Sequence, residues 1–505
     1  MARLPQPGGD NGNWGTILNE FLSQAHKPDG LLKDNSVTSN TIAPGAVTKT
    51  TVGLSNVDNT SDANKPVSTA QQTALDLKAD TSALATKLNT ADLDTQTASK
   101  ITTNGSATQT ALNAAYAPHM PTKRVTMNLG SPNSFAAQSG AVTAWSERIP
   151  LLLPVKTKRW RVKVANKHIR ADGNATVLTT PFTLSDFYMG QPGAAASSGR
   201  LSGAYSSAPV KVLDGGNVPT DGTDWVSAWV TDPTMQLSPS QINILGHTIS
   251  APASGSGAAV CTAHHGFRNS AAGANATLTV ASKVNYYGQT TALDQRVEYE
   301  FEGDEPIGLY VGASGEEGYN LVANSVDGGY EIVALHETYP GVHGMRNRIP
   351  WVNAGISGGI GAAFNSPTNG AFSRFDLATT VPDFAVVSMG GNSILTGGIT
   401  TLAGLQTETA TVLSSIRALG IKRIYLCTVI PIGEANNATA KEILRNAYNT
   451  WIRTNPLDAH GVIDVDLIVR DPTNNLIQLP GFVDTDKIHP TLAGYQRWGS
   501  QVGVR

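Results

Sequence analysis

The chain has 505 residues, with 36 Lys and Arg against 39 Asp and Glu and a formal net charge of −3 at pH 7. This length predicts several domains, and a chain with only 15% charged residues gives no basic surface for nucleic acid. No run of about 18 apolar residues is present and the first residues lack the apolar core of a secretory signal, so we expect a soluble protein that does not insert into a membrane.

The cysteine and histidine residues give no sign of a metal site. Cys261 and Cys427 lie far apart in the sequence and neither belongs to a C-x-x-C pair, so we expect two buried thiols without a disulfide. His264 and His265 are adjacent and would face opposite sides of a strand. We therefore predict no metal and no cofactor.

Residues 1–118 are rich in Thr, Asn, Ala and Asp, and their only aromatic residues are Trp14, Phe21 and Tyr116. So few large apolar groups cannot close a globular core in one chain. One short amphipathic helix is predicted, with an apolar face that would dock on an external partner. That face consists of Trp14, Ile17, Leu18, Phe21 and Leu22.

A second pattern in this region has alternating steps of three and four residues, which is typical of a coiled-coil seam of about three heptads. Its members are Val67, Ala70, Ala74, Leu77, Thr81, Leu84, Leu88 and Ala91. Two interpretations stay open. The region is either a disordered polar linker or an extended stalk that becomes ordered by self-association.

Two segments of this region resemble phage proteins. Residues 4–22, LPQPGGDNGNWGTILNEFL, look like the opening of minor tail and tail-fibre proteins of phages that infect actinobacteria. Residues 53–66, GLSNVDNTSDANKP, are similar to a segment that precedes the trimeric shaft of tail fibres. The resemblance implies a homotrimer with a virion-attachment segment at 1–35, bound to other phage tail proteins, and an extended stalk with short coiled-coil helices at 36–118. It also implies synthesis in the host cytoplasm and a final location in the virion, at the tail tip or in a fibre.

Residues 119–302 have the pattern of β-structure. Residues 160–164, 276–280 and 296–301 alternate apolar with polar side chains, as strands with one solvated face do. Loops rich in Gly, Ser and Ala separate them, which favours an all-β sandwich of jelly-roll type. The tryptophans of this region have two interpretations, core packing or stacking on a sugar. They are Trp145, Trp225 and Trp229.

Residues 303–505 alternate between strands and helices. Continuous apolar strands are predicted at 307–311, 349–353, 383–389, 423–429 and 462–466. Two amphipathic helices are predicted between the last three strands, over 402–419, where Gly420 ends the helix, and over 443–451. This pattern indicates a three-layer, flavodoxin-like α/β domain with a parallel sheet covered on both faces. In such a domain, sites form at the carboxyl ends of the strands.

The first three of these strands end in loops of small residues, at 312–318, 354–359 and 390–393. Near the end of the chain, Asp486 stands three residues before His489, a spacing that can place a carboxylate behind an imidazole. These four blocks, in this order, resemble the SGNH (GDSL-like) hydrolase family.

The resemblance implies a role for each matching residue. Ser314 would be the nucleophile, His489 its general base, and Asp486 the group that orients the base. The backbone amides of Ser314 and Gly358 and the side-chain amide of Asn392 would form the oxyanion hole. A serine hydroxyl needs such a base before it becomes a good nucleophile, and the developing oxyanion needs fixed donors.

The sequence departs from the family pattern at two positions. Ala313 stands where the family has the aspartate of Gly-Asp-Ser, and Ser393 stands where it has the aspartate of Gly-x-Asn-Asp. Both missing carboxylates would help to fix the loops. A competing nucleophile is Ser357, because residues 355–359 satisfy the G-x-S-x-G elbow. That elbow should open into a packed helix and residues 360–370 are loop-like, so we favour Ser314.

The remaining titratable residues near these loops receive structural interpretations. We expect Glu316 and Glu317 to be solvated loop charges, although either could line the pocket. We expect His336 and His343 to be exposed or structural.

Three hypotheses for function follow. The chain is a tail-fibre or minor tail protein whose serine esterase cleaves acyl esters, O-acetyl groups above all, on host cell-surface glycans. Alternatively, the C-terminal domain is an adhesin that has lost catalytic activity and binds a host cell-wall glycan. In the third hypothesis the chain is purely architectural.

Overall fold

The computed structural model describes residues 2–55 except 39, 41 and 49, then 68–72, 120–137, 143–193, 201–252 except 202, 257–264, 267–269, 276–277, 293–318, 335–433 and 439–503. Of 130–137, 257–264, 267–269, 335 and 439 it describes the backbone alone. The chain divides into two compact units, Met1–Tyr116 and Ala117–Arg505. No helix in these ranges is both long enough and apolar enough to cross a bilayer.

The first unit contains one amphipathic helix, α1 (Trp14–Leu22), at the predicted place. None of its residues is buried, and Trp14 is 43% and Phe21 37% exposed. Its apolar face has no cover within the described part of this unit. The predicted coiled-coil seam lies outside the described residues except for 68–72.

The second unit begins with antiparallel β-structure. In chain order its strands are β1 (Thr122–Asn128), β2 (Gly130–Ala137), β3 (Ala144–Leu151), β4 (Arg159–Ala165), β5 (Lys167–Ile169), β6 (Ala175–Val177), β7 (Thr183–Leu184), β8 (Phe187–Gly190), β9 (Val210–Leu213), β10 (Gly216–Asn217), β11 (Trp225–Val226), β12 (Asn243–Ser250), β13 (Gly257–His264), β14 (Phe267–Asn269) and β15 (Asp294–Glu302).

These strands form two larger sheets and two short ribbons. One sheet has the order β1-β15-β4-β11, and the other has β10-β7-β12-β3-β14, with β8 also paired to β12 and β9 paired to β8. Strand β2 pairs with β13, and β5 pairs with β6. The predicted strands at 160–164 and 296–301 lie within β4 and β15, while 276–280 lies outside the described residues apart from 276–277.

The tryptophans of this region occupy different environments. Trp145 is 1% exposed and packs edge-on against Phe182, so it belongs to the core. Trp225 stacks on Phe187 at 5.7 Å between ring centres. Trp229 is partly exposed, and the guanidinium groups of neighbouring arginines lie over its ring. Core packing is therefore the correct interpretation for Trp145.

A parallel sheet follows, as predicted. Its strands are β16 (Gly308–Val311), β17 (Trp351–Asn353), β18 (Phe384–Val387), β19 (Arg423–Cys427) and β20 (Gly461–Ile463). Their order across the sheet is β17-β16-β18-β19-β20, and every neighbouring pair is parallel. In the flavodoxin-like order the connections reverse direction between β16 and β18, which opens a crevice at their carboxyl ends.

The helices of this region are α2 (Ser314–Glu317), α3 (Tyr339–Asn347), α4 (Gly370–Ser373), α5 (Gly391–Leu395), α6 (Leu402–Ala418), α7 (Thr439–Ile452), α8 (Val465–Val469) and α9 (Leu492–Gln501). Helices α6 and α7 contain the two predicted amphipathic stripes, and Gly420 follows α6 with a φ of 91°. The predicted strand at 462–466 is shorter than expected. It ends at Ile463 because Asp464 caps α8 by accepting a hydrogen bond from the Leu467 amide.

The ribbon β5–β6 connects the antiparallel part to the parallel part. At its turn, the Ala171 carbonyl accepts a hydrogen bond from the Ile360 amide at 3.3 Å, and the Gly173 carbonyl accepts one from the Gly370 amide at 2.9 Å. A Cβ on Gly173 would lie 2.6 Å from the Ala363 carbonyl oxygen, so only glycine allows this approach. The ribbon thus fastens the loop that follows β17.

Candidate active site

Three side chains from two distant parts of the sequence form a hydrogen-bonded relay at the carboxyl end of the parallel sheet. Ser314 is the first residue of α2, which follows β16. His489 Nε2 lies 2.8 Å from Ser314 Oγ, and His489 Nδ1 lies 2.6 Å from Asp486 Oδ2. This arrangement allows the imidazole to take the hydroxyl proton while the carboxylate stabilises the resulting cation.

The Asp486 carboxylate is fixed from both sides. Its Oδ1 accepts hydrogen bonds from the Ile488 and His489 amides, each at 2.9 Å. Burial alone would raise the pKa of Asp486, but the hydrogen bond from the His489 ring and those from the two amides outweigh it and hold the pKa well below its usual range. The group is therefore an anion at every pH where the protein would work, as an orienting carboxylate must be.

A tight backbone turn brings Asp486 and His489 together. Lys487 adopts a left-handed conformation with a φ of 64°. Gly433 approaches this turn so closely that a Cβ there would lie 2.4 Å from the Lys487 carbonyl oxygen. The loop after β19 and the loop before α9 can pack against each other only because residue 433 is glycine.

Of the three residues predicted to supply oxyanion donors, Ser314 and Asn392 line the same cavity and Gly358 does not. Asn392 lines the same cavity as Ser314 and His489, and its Nδ2 donates to the Gly359 carbonyl at 3.2 Å. The Ser314 amide opens α2, where the first amides of a helix have no intrahelical acceptor. Gly358 has a φ of 74°, is exposed, and does not line the cavity. Its role as a donor stays a prediction.

The cavity beside the relay has a volume of about 90 Å³ and a largely apolar wall. Its polar lining includes Ser314, Asn392 and His489, and its apolar lining consists largely of aliphatic side chains together with Trp498. The aliphatic members are Met389, Leu395, Val429, Ile430, Ile432 and Ile488. Such a space accepts a small apolar group attached to a carbonyl carbon.

Two glutamates contradict the prediction of solvated loop charges. Glu316 and Glu317 are each 2% exposed, and Glu316 lines the cavity. Burial raises the pKa of Glu316 to about 7, against an opposing hydrogen bond from the Ala313 amide. The prediction of solvated charges was wrong for both residues, while the alternative, a place in the pocket lining, is correct for Glu316. Nothing local to the Gly-rich loop shows that Tyr339 and Trp498, stacked at 4.1 Å, belong to the same part of the fold.

A further glutamate, Glu408 on α6, supports the neighbouring loop. Its Oε1 accepts a hydrogen bond from the Gly361 amide at 2.9 Å. A Cβ on Gly361 would lie 2.1 Å from Glu408 Cγ, which shows how closely the side chain packs against the loop. Burial raises the pKa of Glu408. Sequence spacing carried no signal for this contact, because the two residues are 47 positions apart.

The competing nucleophile lacks the setting that it needs. A turn and the short 3₁₀ helix Gly361–Phe364 follow Ser357, where an elbow of the α/β-hydrolase type requires a packed α-helix. His343 is buried and contacts the Tyr310 hydroxyl, in agreement with the structural interpretation. Burial lowers the pKa of His336 to about 4.

No cluster of three or more His, Cys, Asp or Glu side chains suited to a metal ion occurs in the part of the chain that the structure describes. Cys427 is buried as a free thiol.

Comparison with known proteins identifies a domain in this region. Residues 328–497 match the GDSL-like Lipase/Acylhydrolase family. The C-terminal region therefore contains a GDSL-like lipase/acylhydrolase domain. The matched span includes Asn392, Asp486 and His489, and Ser314 precedes it. No curated protein sequence matches the chain.

Several solved structures are similar at low identity. A family two carbohydrate esterase from Cellvibrio japonicus is 11% identical, with 76% of this chain and 96% of that chain covered and a TM-score of 0.32. One from Clostridium thermocellum, in complex with cellohexaose, is 12% identical over 76% and 93%, with a TM-score of 0.30. A GDSL-like lipase from Bacteroides thetaiotaomicron is 16% identical over 39% and 85%, with a TM-score of 0.28. At these values the likeness carries no inference about function.

Proposed function

We propose that the GDSL-like domain is a serine esterase of the SGNH type that hydrolyses acyl esters of host cell-surface glycans, chiefly O-acetyl esters. The observation that carries the proposal is the relay itself, with 2.8 Å from Ser314 Oγ to His489 Nε2 and 2.6 Å from His489 Nδ1 to Asp486. The family match of residues 328–497 supports the same reaction class.

The chemistry follows from the positions of these groups. His489 Nε2 takes the proton of Ser314 as Oγ attacks the ester carbonyl carbon. The tetrahedral oxyanion receives hydrogen bonds from the Ser314 amide, the Gly358 amide and Asn392. Collapse of this intermediate breaks the ester bond, and the protonated His489 gives its proton to the departing sugar oxygen. A water molecule, deprotonated by His489, then releases the carboxylic acid and restores Ser314.

The cavity favours small acyl groups on a large alcohol. Its volume of about 90 Å³ and its aliphatic wall suit a short acyl chain, and its open side leaves the alcohol outside. An O-acetylated polysaccharide has this form, with a small acyl group on a bulky polymer.

We extend the proposal to the whole chain as a phage tail-fibre or minor tail protein. Support comes from the resemblance of residues 4–22 and 53–66 to tail proteins and from the uncovered apolar face of α1. The first 35 residues attach to other tail proteins, residues 36–118 form a trimeric stalk, and the esterase acts during adsorption. Sedimentation of the full chain tests the trimer, which should have three times the mass of 52.9 kDa. Immunogold labelling of virions tests the location.

Turnover of p-nitrophenyl acetate and release of acetate from host wall polysaccharide test the esterase. Wild type should turn over both substrates and Ser314→Ala neither, while Ser357→Ala, the matched serine control in the next loop, should retain activity. Binding to wall material that survives Ser314→Ala, with no turnover by either protein, would instead identify a lapsed adhesin. Neither binding nor turnover, with normal assembly into virions, would leave an architectural role.

A further inference from the structure

One buried carboxyl group beside the relay has no part in the reaction described above. Glu316 is the third residue of α2, two positions after the nucleophile, and is 2% exposed. Its Oε2 accepts a hydrogen bond from the Ala313 amide at 2.6 Å. The side chain therefore closes the turn that leads from β16 into Ser314.

The space around this carboxyl group requires glycine on both sides. A Cβ on Gly312 would lie 2.1 Å from Glu316 Cδ, and a Cβ on Gly355 would lie 2.6 Å from Glu316 Cβ. Residue 312 directly follows β16, and residue 355 belongs to the loop after β17. Glu316 is thus held between the loop that carries Ser314 and the loop that carries Gly358.

Asn353 completes the connection through the backbone. Its Nδ2 donates to the Glu316 carbonyl at 2.7 Å, and its Oδ1 accepts from the Gly355 amide at 3.0 Å. Asn353 is 4% exposed, so these bonds are made away from solvent, where an unpaired polar group is costly. The nucleophile turn and the second loop consequently form one hydrogen-bonded unit.

We propose that Glu316 is a positioning residue that fixes the Ser314 hydroxyl and the Ser314 amide relative to His489 and to the second loop; this inference rests on the proposed esterase function. Ala313 has no polar side chain with which to hold the turn, and Glu316 supplies the acceptor for its amide. Removing that acceptor leaves a part-buried amide unpaired and a void behind the nucleophile. A misplacement of about 1 Å at a reacting atom costs on the order of 10² in rate.

The kinetic constants of three variants test the inference with p-nitrophenyl acetate. Glu316→Ala should lower kcat by about 10- to 100-fold and leave KM within about two-fold, because the substrate still enters the same cavity. Glu316→Gln should retain kcat within about three-fold, because its amide oxygen accepts the same hydrogen bond. Glu316→Asp keeps a carboxylate but is one methylene too short to reach the Ala313 amide, so its kcat should fall like that of the alanine variant.

The Gln and Asp variants decide the question if the alanine variant does not fold. Equal kcat values for Glu316→Gln and Glu316→Asp would overturn the inference, since the reach of the side chain would then be irrelevant. The matched control is Glu317→Gln, the adjacent buried glutamate, which does not line the cavity. Its kcat should stay within about two-fold of wild type. A loss as large as that of Glu316→Ala would show that changing either buried glutamate has the same effect, and would overturn a specific role for Glu316.

Failure of the inference and failure of the proposed function give different results. If wild type and the Glu316 variants turn over the ester equally while Ser314→Ala does not, the esterase stands and the positioning role falls. If wild type does not turn over any ester, the proposed function fails and this inference fails with it.

Discussion

Replacing Glu316 by glutamine should change how the stability of residues 117–505 depends on pH. The pKa of this carboxyl group rises from 4.5 to about 7 on folding, because burial penalises its charged form. The folded protein therefore holds the proton more tightly than the unfolded chain does. Stability is greatest below the unfolded pKa of 4.5 and falls as the pH rises towards about 7, where the folded protein also loses the proton.

The size of the effect follows from the two pKa values. Each pKa unit corresponds to about 1.4 kcal/mol, so the contribution of Glu316 should fall by roughly 2–3 kcal/mol between about pH 5 and about pH 8. Two of the neighbouring titratable groups, Cys427 and Tyr339, do not ionise in this pH range. Burial raises the pKa of Cys427 to about 12, and burial also raises that of Tyr339, so both stay neutral across this range.

Thermal unfolding of wild type and Glu316→Gln across this pH range measures the effect. A unit of about 390 residues loses about 1 °C in Tm for each kcal/mol of lost stability. The Tm of the variant minus the Tm of wild type should therefore increase by about 3 °C between about pH 5 and about pH 8. Glu20→Gln, a change in the other compact unit, is the control, and its Tm difference from wild type should not change with pH. If the Tm difference between Glu316→Gln and wild type does not change with pH, the claim that burial raises the pKa of Glu316 is refuted.

Three further predictions concern the relay, the oxyanion donor and a buried ion pair. Asp486→Asn should lower kcat for p-nitrophenyl acetate by about 10³- to 10⁴-fold, because the imidazole loses the carboxylate that sets its tautomer, and an unchanged kcat would contradict the relay. Asn392→Ala should lower kcat by about 10²- to 10³-fold through loss of one oxyanion donor, as steady-state kinetics would show. Arg445→Ala should destabilise the unit by about 3–5 kcal/mol in denaturant unfolding, because the buried guanidinium pairs with Glu442 at 2.6 Å and with Asp466 at 2.7 Å.

The sequence was sufficient to predict the elements that carry the relay. Apolar runs with β-propensity predicted the five parallel strands, and small residues after a strand predicted loops at the carboxyl edge of the sheet. The spacing of Asp486 and His489 is local, so their contact could be expected without a fold. Ser314 was assigned through the resemblance to the SGNH family, and its place after a predicted parallel strand agrees with the rule that sites form at the carboxyl ends of such strands.

Contacts that depend on long-range packing could not be predicted in the same way. The Gly-rich loop around Glu316 predicts a solvated charge, whereas the burial of Glu316 depends on α3 and α9, which lie far along the chain. Glu408 meets Gly361 across 47 positions, and no periodicity links the two. The missing aspartates at Ala313 and Ser393 suggested looser loops, but local spacing could not show that glutamates from other positions support those loops.

The hydrogen bonds from Ala171 and Gly173 to the loop after β17 have a practical consequence for dissecting the molecule. A fragment that begins at Gly303 would contain every residue of the relay and would still lack the ribbon that clamps residues 360–370. Gly358 lies at the edge of this clamped segment, so the shortened protein would lose a support for a loop beside the candidate active site. The antiparallel region is for this reason not an interchangeable module, and a chimaera that replaces it with another domain must retain the β5–β6 ribbon.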